Sequence, residues 1–353
     1  MLIYFRLGRL LGVIAVVAAV CYATSSAQAF VGQLESLQKA NGAIHQFKFE
    51  GDEAAARQNN SGGLHVDLLA AAGEGGAGTN DPDGVPDSGD EVDWSYPAGD
   101  VNAIGYEAGY DGAGVSQAMR PQSTPVSSTF AGESLAQRRS GAGLYLPSFT
   151  TPSMMTIEGV LMPDPYVDTS GNPHYVFQTR PGGGRGYYLA QIAPMGSRDV
   201  GGTLASIVGD SFGERPAVVQ DYVDPSHWYY VAVTFDLSGS NAVVDAFYAD
   251  LTDGGPLTQS QDGYNFAATI GSGLVGANGL AGVGMFVRPG TTVLGQEFYF
   301  GAIDNLAIYG DKLTDDQVAR NFRALTTAGV PEPASIALVC LGLGLFGLRC
   351  RSR

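Results

Sequence analysis

A chain of 353 residues with 19 Lys and Arg against 35 Asp and Glu carries a formal charge of −16, which excludes a partner held through nucleic-acid phosphates. Fifty glycines argue for many turns and little helix. All three cysteines, Cys21, Cys340 and Cys350, stand near the termini, so the long body between them has no disulfide available and must be held by its core or by bound metal.

Arg6 and Arg9, an apolar stretch from Leu10 to Val20, and then Ala27-Gln28-Ala29 have the layout of a secretory signal peptide. Ala27 and Ala29 are the small residues a signal peptidase requires, so residues 1–29 are expected to be removed, leaving Phe30 first. A lipoprotein anchored at Cys21 is the competing reading, and Val20 before it is too large for that processing.

The body, residues 30–325, opens with the strand-like "IHQFKFEG". From about residue 59 to 126 the texture changes: no Lys or Arg lies between Arg57 and Arg120, while carboxylates and glycines accumulate. This segment reads as a long acidic insertion between early strands, partly irregular. Within it, Thr79, Asp81, Asp83, Asp87 and Asp90 fall at the first, third, fifth, ninth and last ligand positions of a calcium loop, with Gly84 at the sharp turn. Oxygen donors at that spacing converge on one hard cation; a solvated acidic turn accounts for the run equally well. Trp94, Tyr96, Tyr106 and Tyr110 are candidates for an aromatic platform under sugar rings, against the ordinary use of aromatics as core.

Short β-branched and aromatic runs bounded by Gly, Pro, Asp or Asn follow: "AGLYLPSF", "MMTIEGVLM", "YYLAQI", "HWYYVAVTFD", "NAVVDAFYAD", "GVGMFVRP" and "EFYFGAIDNLAIYG". In "HWYYVAVTFD" the two-residue period puts Tyr229, Val231, Val233 and Phe235 on one face and Trp228, Tyr230, Ala232 and Thr234 on the other, with Trp228 expected inside the sandwich. Glu158 and Glu297 are isolated and read as solvent-facing strand residues, so no paired carboxylates for glycoside hydrolysis are visible. None of His45, His65, His174 and His227 forms a metal-binding pair by spacing, and His227 reads as a polar residue at a strand start. "RPGGGRG" is expected to be a hairpin loop, since it lacks the Lys-Ser/Thr ending and following helix of a phosphate cradle. One helix is expected, in "KLTDDQVARNFRALT": Thr314 and Gln317 form a capping box, and Val318, Phe322 and Leu325 share a face.

Three stretches, "GAGLYLPSFTTPSMMTIEGVLMPD", "SHWYYVAVTFD" and "FYFGAIDNLAIYGDKLTDDQVARNF", resemble the laminin-G-like, concanavalin A-like family of bacterial surface proteins. The resemblance implies an all-β fold, a two-sheet antiparallel jelly-roll sandwich with one short C-terminal helix, and a role in binding or building rather than catalysis. A polysaccharide-active enzyme and a purely structural surface protein remain the alternatives on the same architecture.

The chain closes with a linker and Pro331-Glu332-Pro333 (residues 326–333), an apolar run (334–348) and a basic end (349–353). As a helix the run reaches about 22 Å, short of the roughly 30 Å hydrocarbon layer, but Arg349, Arg351 and Arg353 can hold its end at the cytoplasmic face. The two prolines keep the approach extended and unpaired. This ending resembles the PEP-CTERM sorting signal, which implies an exosortase as partner, transient residence in the inner membrane, and delivery to the cell surface or an extracellular polysaccharide.

Overall fold

The computed structural model describes residues 33–34, 36–47, 49, 69–72, 105–110, 117–121, 142–165, 173–181, 185–192, 203–210, 217–220, 223–239, 241–266, 276, 278–288, 294–296 and 299–327. The chain divides into two compact units, residues 38–319 and residues 1–37 with 320–353. All the described strands belong to the first. Among the described residues no helix is long and apolar enough to cross a membrane.

The strands form two antiparallel sheets, as the sequence led us to expect. One holds β1 (Ala43–Phe47), β3 (Gly105–Ala108), β4 (Gln117–Arg120), β6 (Met154–Pro163), β11 (Tyr229–Asp236), β12 (Ala242–Asp250), β13 (Thr258–Phe266) and β17 (Gly301–Tyr309). Its order is β13-β12-β11-β6-β17-β4-β3, with β1 also on β17. The other runs β10-β9-β8-β7-β14-β5-β2 through β10 (Ala217–Gln220), β9 (Thr203–Asp210), β8 (Arg185–Ile192), β7 (His174–Pro181), β14 (Asn278–Val283), β5 (Ala142–Thr150) and β2 (Leu69–Ala72). Strands β15 (Phe286–Arg288) and β16 (Leu294–Gln296) pair with each other as a separate two-stranded sheet. The chain crosses between the two large sheets after β1, β2, β4, β5, β6, β10 and β13, and returns from β14 through β15 and β16 to β17, so the sheets exchange strands repeatedly, as in a jelly roll.

The core lies between the sheets, where strand alternation sends one face of each. Tyr229, Val231, Val233 and Phe235 of β11 meet Ile157 and Leu161 of β6, Val244 and Ala246 of β12, and Phe177, Leu189 and Leu204 of the opposite sheet in one buried cluster. The face assignment made from the period of "HWYYVAVTFD" holds. The capping box also forms: the Thr314 amide donates to Gln317 Oε1 at 2.9 Å and the Gln317 amide to Thr314 Oγ1 at 3.3 Å. It starts α1 (Asp315–Thr327), whose Val318 and Leu325 are buried.

Several expectations change. The described stretches of the acidic segment supply strands to both sheets, β2 at the edge of one and β3 with β4 at the edge of the other. "GVGMFVRP" is two strands, because Gly284 at φ 73° turns the chain between β14 and β15. The last long strand starts only at Gly301, and Asn305 at φ 50° bends it where the register with β6 shifts. The bend lets one half pair with β4 and the other with β1. Strands β9, β10 and β13 had no clear signal: "TQSQDGYNF" is almost wholly polar and sits at the edge of its sheet. The "RPGGGRG" segment does join antiparallel β7 and β8.

Candidate functional site

The residues singled out from sequence for the acidic loop (Asp81, Asp83, Asp87, Asp90), the aromatic platform (Trp94, Tyr96), the cleavage site (Ala27, Ala29) and the tail (Pro331, Glu332, Pro333, Arg349, Arg351, Arg353) lie outside the described residues. The side chain of Tyr106 does as well. Tyr110 is described, and its ring meets that of Trp228 edge-on at 6.4 Å. Trp228 is not in the sandwich core, contrary to expectation: it is half-buried just before β11, on the face turned away from the core. The Tyr110 amide, donating to Asp304 Oδ2 at 3.1 Å, fixes this aromatic pair to β17.

Beside Trp228 a polar cluster gathers on the turn joining β12 to β13 and on the approach to β11. His227 Nδ1 lies 2.9 Å from Asp250 Oδ2 and Nε2 lies 3.9 Å from Asp224 Oδ2. The hydrogen bond to Asp250, with the charges of Asp250, Asp224 and Asp253, raises the His227 pKa against the opposing effect of burial. Asp250 is held in turn by the Asp253 amide at 3.1 Å, and the Trp228 amide donates to Thr252 Oγ1 at 2.8 Å. Among the described residues, His227, Asp250 and Asp253 offer ligand atoms within 4.8 Å of one another, a set able to hold a divalent cation. Reading His227 as a plain polar strand start therefore missed its surroundings. Asp250 is 23 residues on, and only the antiparallel pairing of Tyr229 with Asp250 brings the two together.

A second polar group lies at the same end of this sheet, next to the turn through the Ser226 amide and the Pro163 carbonyl, 2.9 Å apart. Arg120, nearly buried, reaches Asp164 Oδ2 with Nη1 at 2.5 Å and Glu107 with Nε at 3.0 Å. Burial opposes the charge on Arg120, but the hydrogen bond to Glu107 and the charge of Asp164 outweigh it and raise its pKa. The group ties β3 and β4 to the end of β6, which makes it a clamp on the acidic segment.

Glu158 overturns its sequence reading. It is 1% exposed on the outer face of β6, and its carboxylate accepts hydrogen bonds from Tyr230 at 2.6 Å and from Tyr309. Segment 311–318 covers that face: the Leu313 amide donates to Thr156 at 3.0 Å, Lys312 pairs with Asp245 at 2.5 Å, and the Val318 carbonyl lies 3.3 Å from the Tyr230 hydroxyl. Burial, then the neighbouring Glu158 charge, pushes the Tyr230 phenol well up, so it remains a donor. This carboxylate is sealed under the segment, inaccessible to a polymer substrate.

Residues 329–353 match the PEP-CTERM protein-sorting motif, in agreement with the tail reading. That motif implies export and C-terminal membrane anchoring before sorting. No curated protein sequence matches the chain. Among solved structures, the chain is similar to a heptameric SAP-like pentraxin from Limulus polyphemus, at 15% identity and TM-score 0.35, over 50% of this chain and 72% of that one. It is also similar to the Ruminococcus gnavus sialidase CBM40 bound to α2,3 sialyllactose, at 17% identity and TM-score 0.30, over 48% and 82%. A third is the binding domain of botulinum neurotoxin DC in complex with rat synaptotagmin II, at 9% identity and TM-score 0.39, over 81% and 52%. At these values the architecture rests on the strand pairing described above.

Proposed function

We propose that this is an exported, non-catalytic carbohydrate-binding protein, delivered by an exosortase-type enzyme to the cell surface or an extracellular polysaccharide. The observation that carries the proposal is the sorting motif at residues 329–353 behind an all-β body. The end of the sheet bearing Trp228 and Tyr110 next to Asp224, Asp250 and Asp253 suits such a ligand. A half-exposed indole offers an apolar ring face, and the carboxylates accept hydrogen bonds from sugar hydroxyls. The laminin-G-like assignment and retention in a polysaccharide matrix belong to the same proposal. So does calcium at Asp81, Asp83, Asp87 and Asp90, ordering a body that has no disulfide.

The test is a glycan array together with a polysaccharide-hydrolysis assay on the exported body, Phe30 to Val330. Retention without sugar release is expected, and Trp228→Ala should weaken it several-fold. Released sugar makes the protein an enzyme; neither retention nor release leaves a structural surface protein. Calorimetric titration with calcium, with Asp81→Ala and Asp83→Ala as controls, tests the loop: no heat and no rise in Tm removes calcium from the proposal.

A further inference from the structure

The outer face of the seven-stranded sheet carries one cross-strand row. Tyr145 of β5 stands opposite Gly282 of β14, Gly282 opposite Gln178 of β7, and Gln178 opposite Tyr188 of β8. At about 4.8 Å per strand, the two tyrosines are about 14 Å apart, with a glycine and a carboxamide between them. Gln178 is completely buried, and among the described residues neither its amide nitrogen nor its amide oxygen has a hydrogen-bond partner. A carboxamide carries donors and an acceptor that water would satisfy, so leaving both ends unmet costs stability that a leucine of similar volume would not.

Met285 and β15 lie on this row. A side chain at Gly282 would overlap the Met285 carbonyl oxygen and come within 2.6 Å of Val287 Cγ2, with Gln178 Nε2 at 3.2 Å. One at Gly143, on the same face of β5 as Tyr145, would come within 2.7 Å of Met285 Cγ. The missing side chains lower the floor so that β15 can lie against it. Met285 and Val287 then fill the space beside Tyr145, and Phe286 packs on Tyr175 at 5.5 Å, beside Tyr188.

We propose that this row is the floor of an oligosaccharide groove and that β15, with Met285 before it, is its internal plug. This strand lifts as a neutral sugar chain enters. The Gln178 amide then donates to one hydroxyl and accepts from its neighbour, a match for adjacent hydroxyls on one ring. Tyr145 and Tyr188 lie against the rings on either side. Their separation suits a short chain of sugars, and the unmet amide is retained because the ligand satisfies it. This deepens the carbohydrate-binding reading above and rests on it.

The experiment uses the full chain with cellohexaose, xylohexaose and mannohexaose as probes. Expected is that the parent binds at least one of them and that Gln178→Leu weakens that binding tenfold or more while melting no lower than the parent. Hydrogen exchange on the unmodified protein should show the amides of residues 286–288 exchanging faster when that sugar is added. Unchanged affinity in Gln178→Leu, a Tm lowered by several degrees, or exchange at residues 286–288 that ignores the sugar each overturns the groove while carbohydrate binding stands. A parent that binds none of the three, and no glycan on the array, overturns both.

Discussion

Tyr309→Phe removes one hydroxyl and leaves one oxygen of a buried carboxylate without its phenol donor. Glu158 is 1% exposed, so water does not reach in to replace the lost group. A hydrogen bond to a charged acceptor is worth about 1.5–3 kcal/mol, and the dry surroundings place this one in the upper half, about 2–3 kcal/mol. For a folding unit of this size that corresponds to a fall in Tm of roughly 5–10 °C. The ring itself stays, so packing between β17 and segment 311–318 is preserved and the loss reports the hydroxyl alone. Circular-dichroism melts and urea titrations of parent and variant are the assay; the urea midpoint should fall while the slope is unchanged, since the same surface is exposed on unfolding. Curves that superimpose within about 1 °C would show that burial does not isolate this carboxylate, and the account of segment 311–318 as its seal would be wrong.

Gly301 sits at φ 144°, where a Cβ would overlap the Met162 carbonyl oxygen and come within 2.9 Å of Pro163 Cα. Gly301→Ala should cost about 3 kcal/mol in urea, whereas Gly254→Ala, at φ 67° with nothing within 4 Å, should cost about 1 kcal/mol; equal losses would refute the steric argument. Burial among Phe47 and Phe149 lowers the His45 pKa from 6.5 to about 4. Below pH 6.5 the unfolded chain takes up a proton that the native imidazole refuses, so stability is full above 6.5, falls as pH drops toward 4, and loses at most about 3 kcal/mol from this group. His45→Gln should flatten the stability profile across that window, and a profile identical to the parent's would count against the shift.

The signals legible in the sequence were local ones. A capping box needs only Thr314 and Gln317, three residues apart, so the helix start could be read directly. The sorting tail is likewise a linear pattern, with Pro331-Glu332-Pro333, an apolar run and arginines in fixed order, and it needs no fold to be recognised. Alternation in β11 assigned each side chain to a face because the strand period is 2. Alternation could not say what covers the outer face. Glu158 is sealed because segment 311–318, more than 150 residues away, lies over it. His227 meets Asp250 only through antiparallel register, and Tyr145, Gly282, Gln178 and Tyr188 form a row only because β14 inserts between β5 and β7. Sequence periodicity is a property of one strand, while burial of a polar group and convergence of distant side chains are properties of pairing and cover. The export route was therefore written in the chain, and the candidate binding surfaces were decided by how the two sheets assemble.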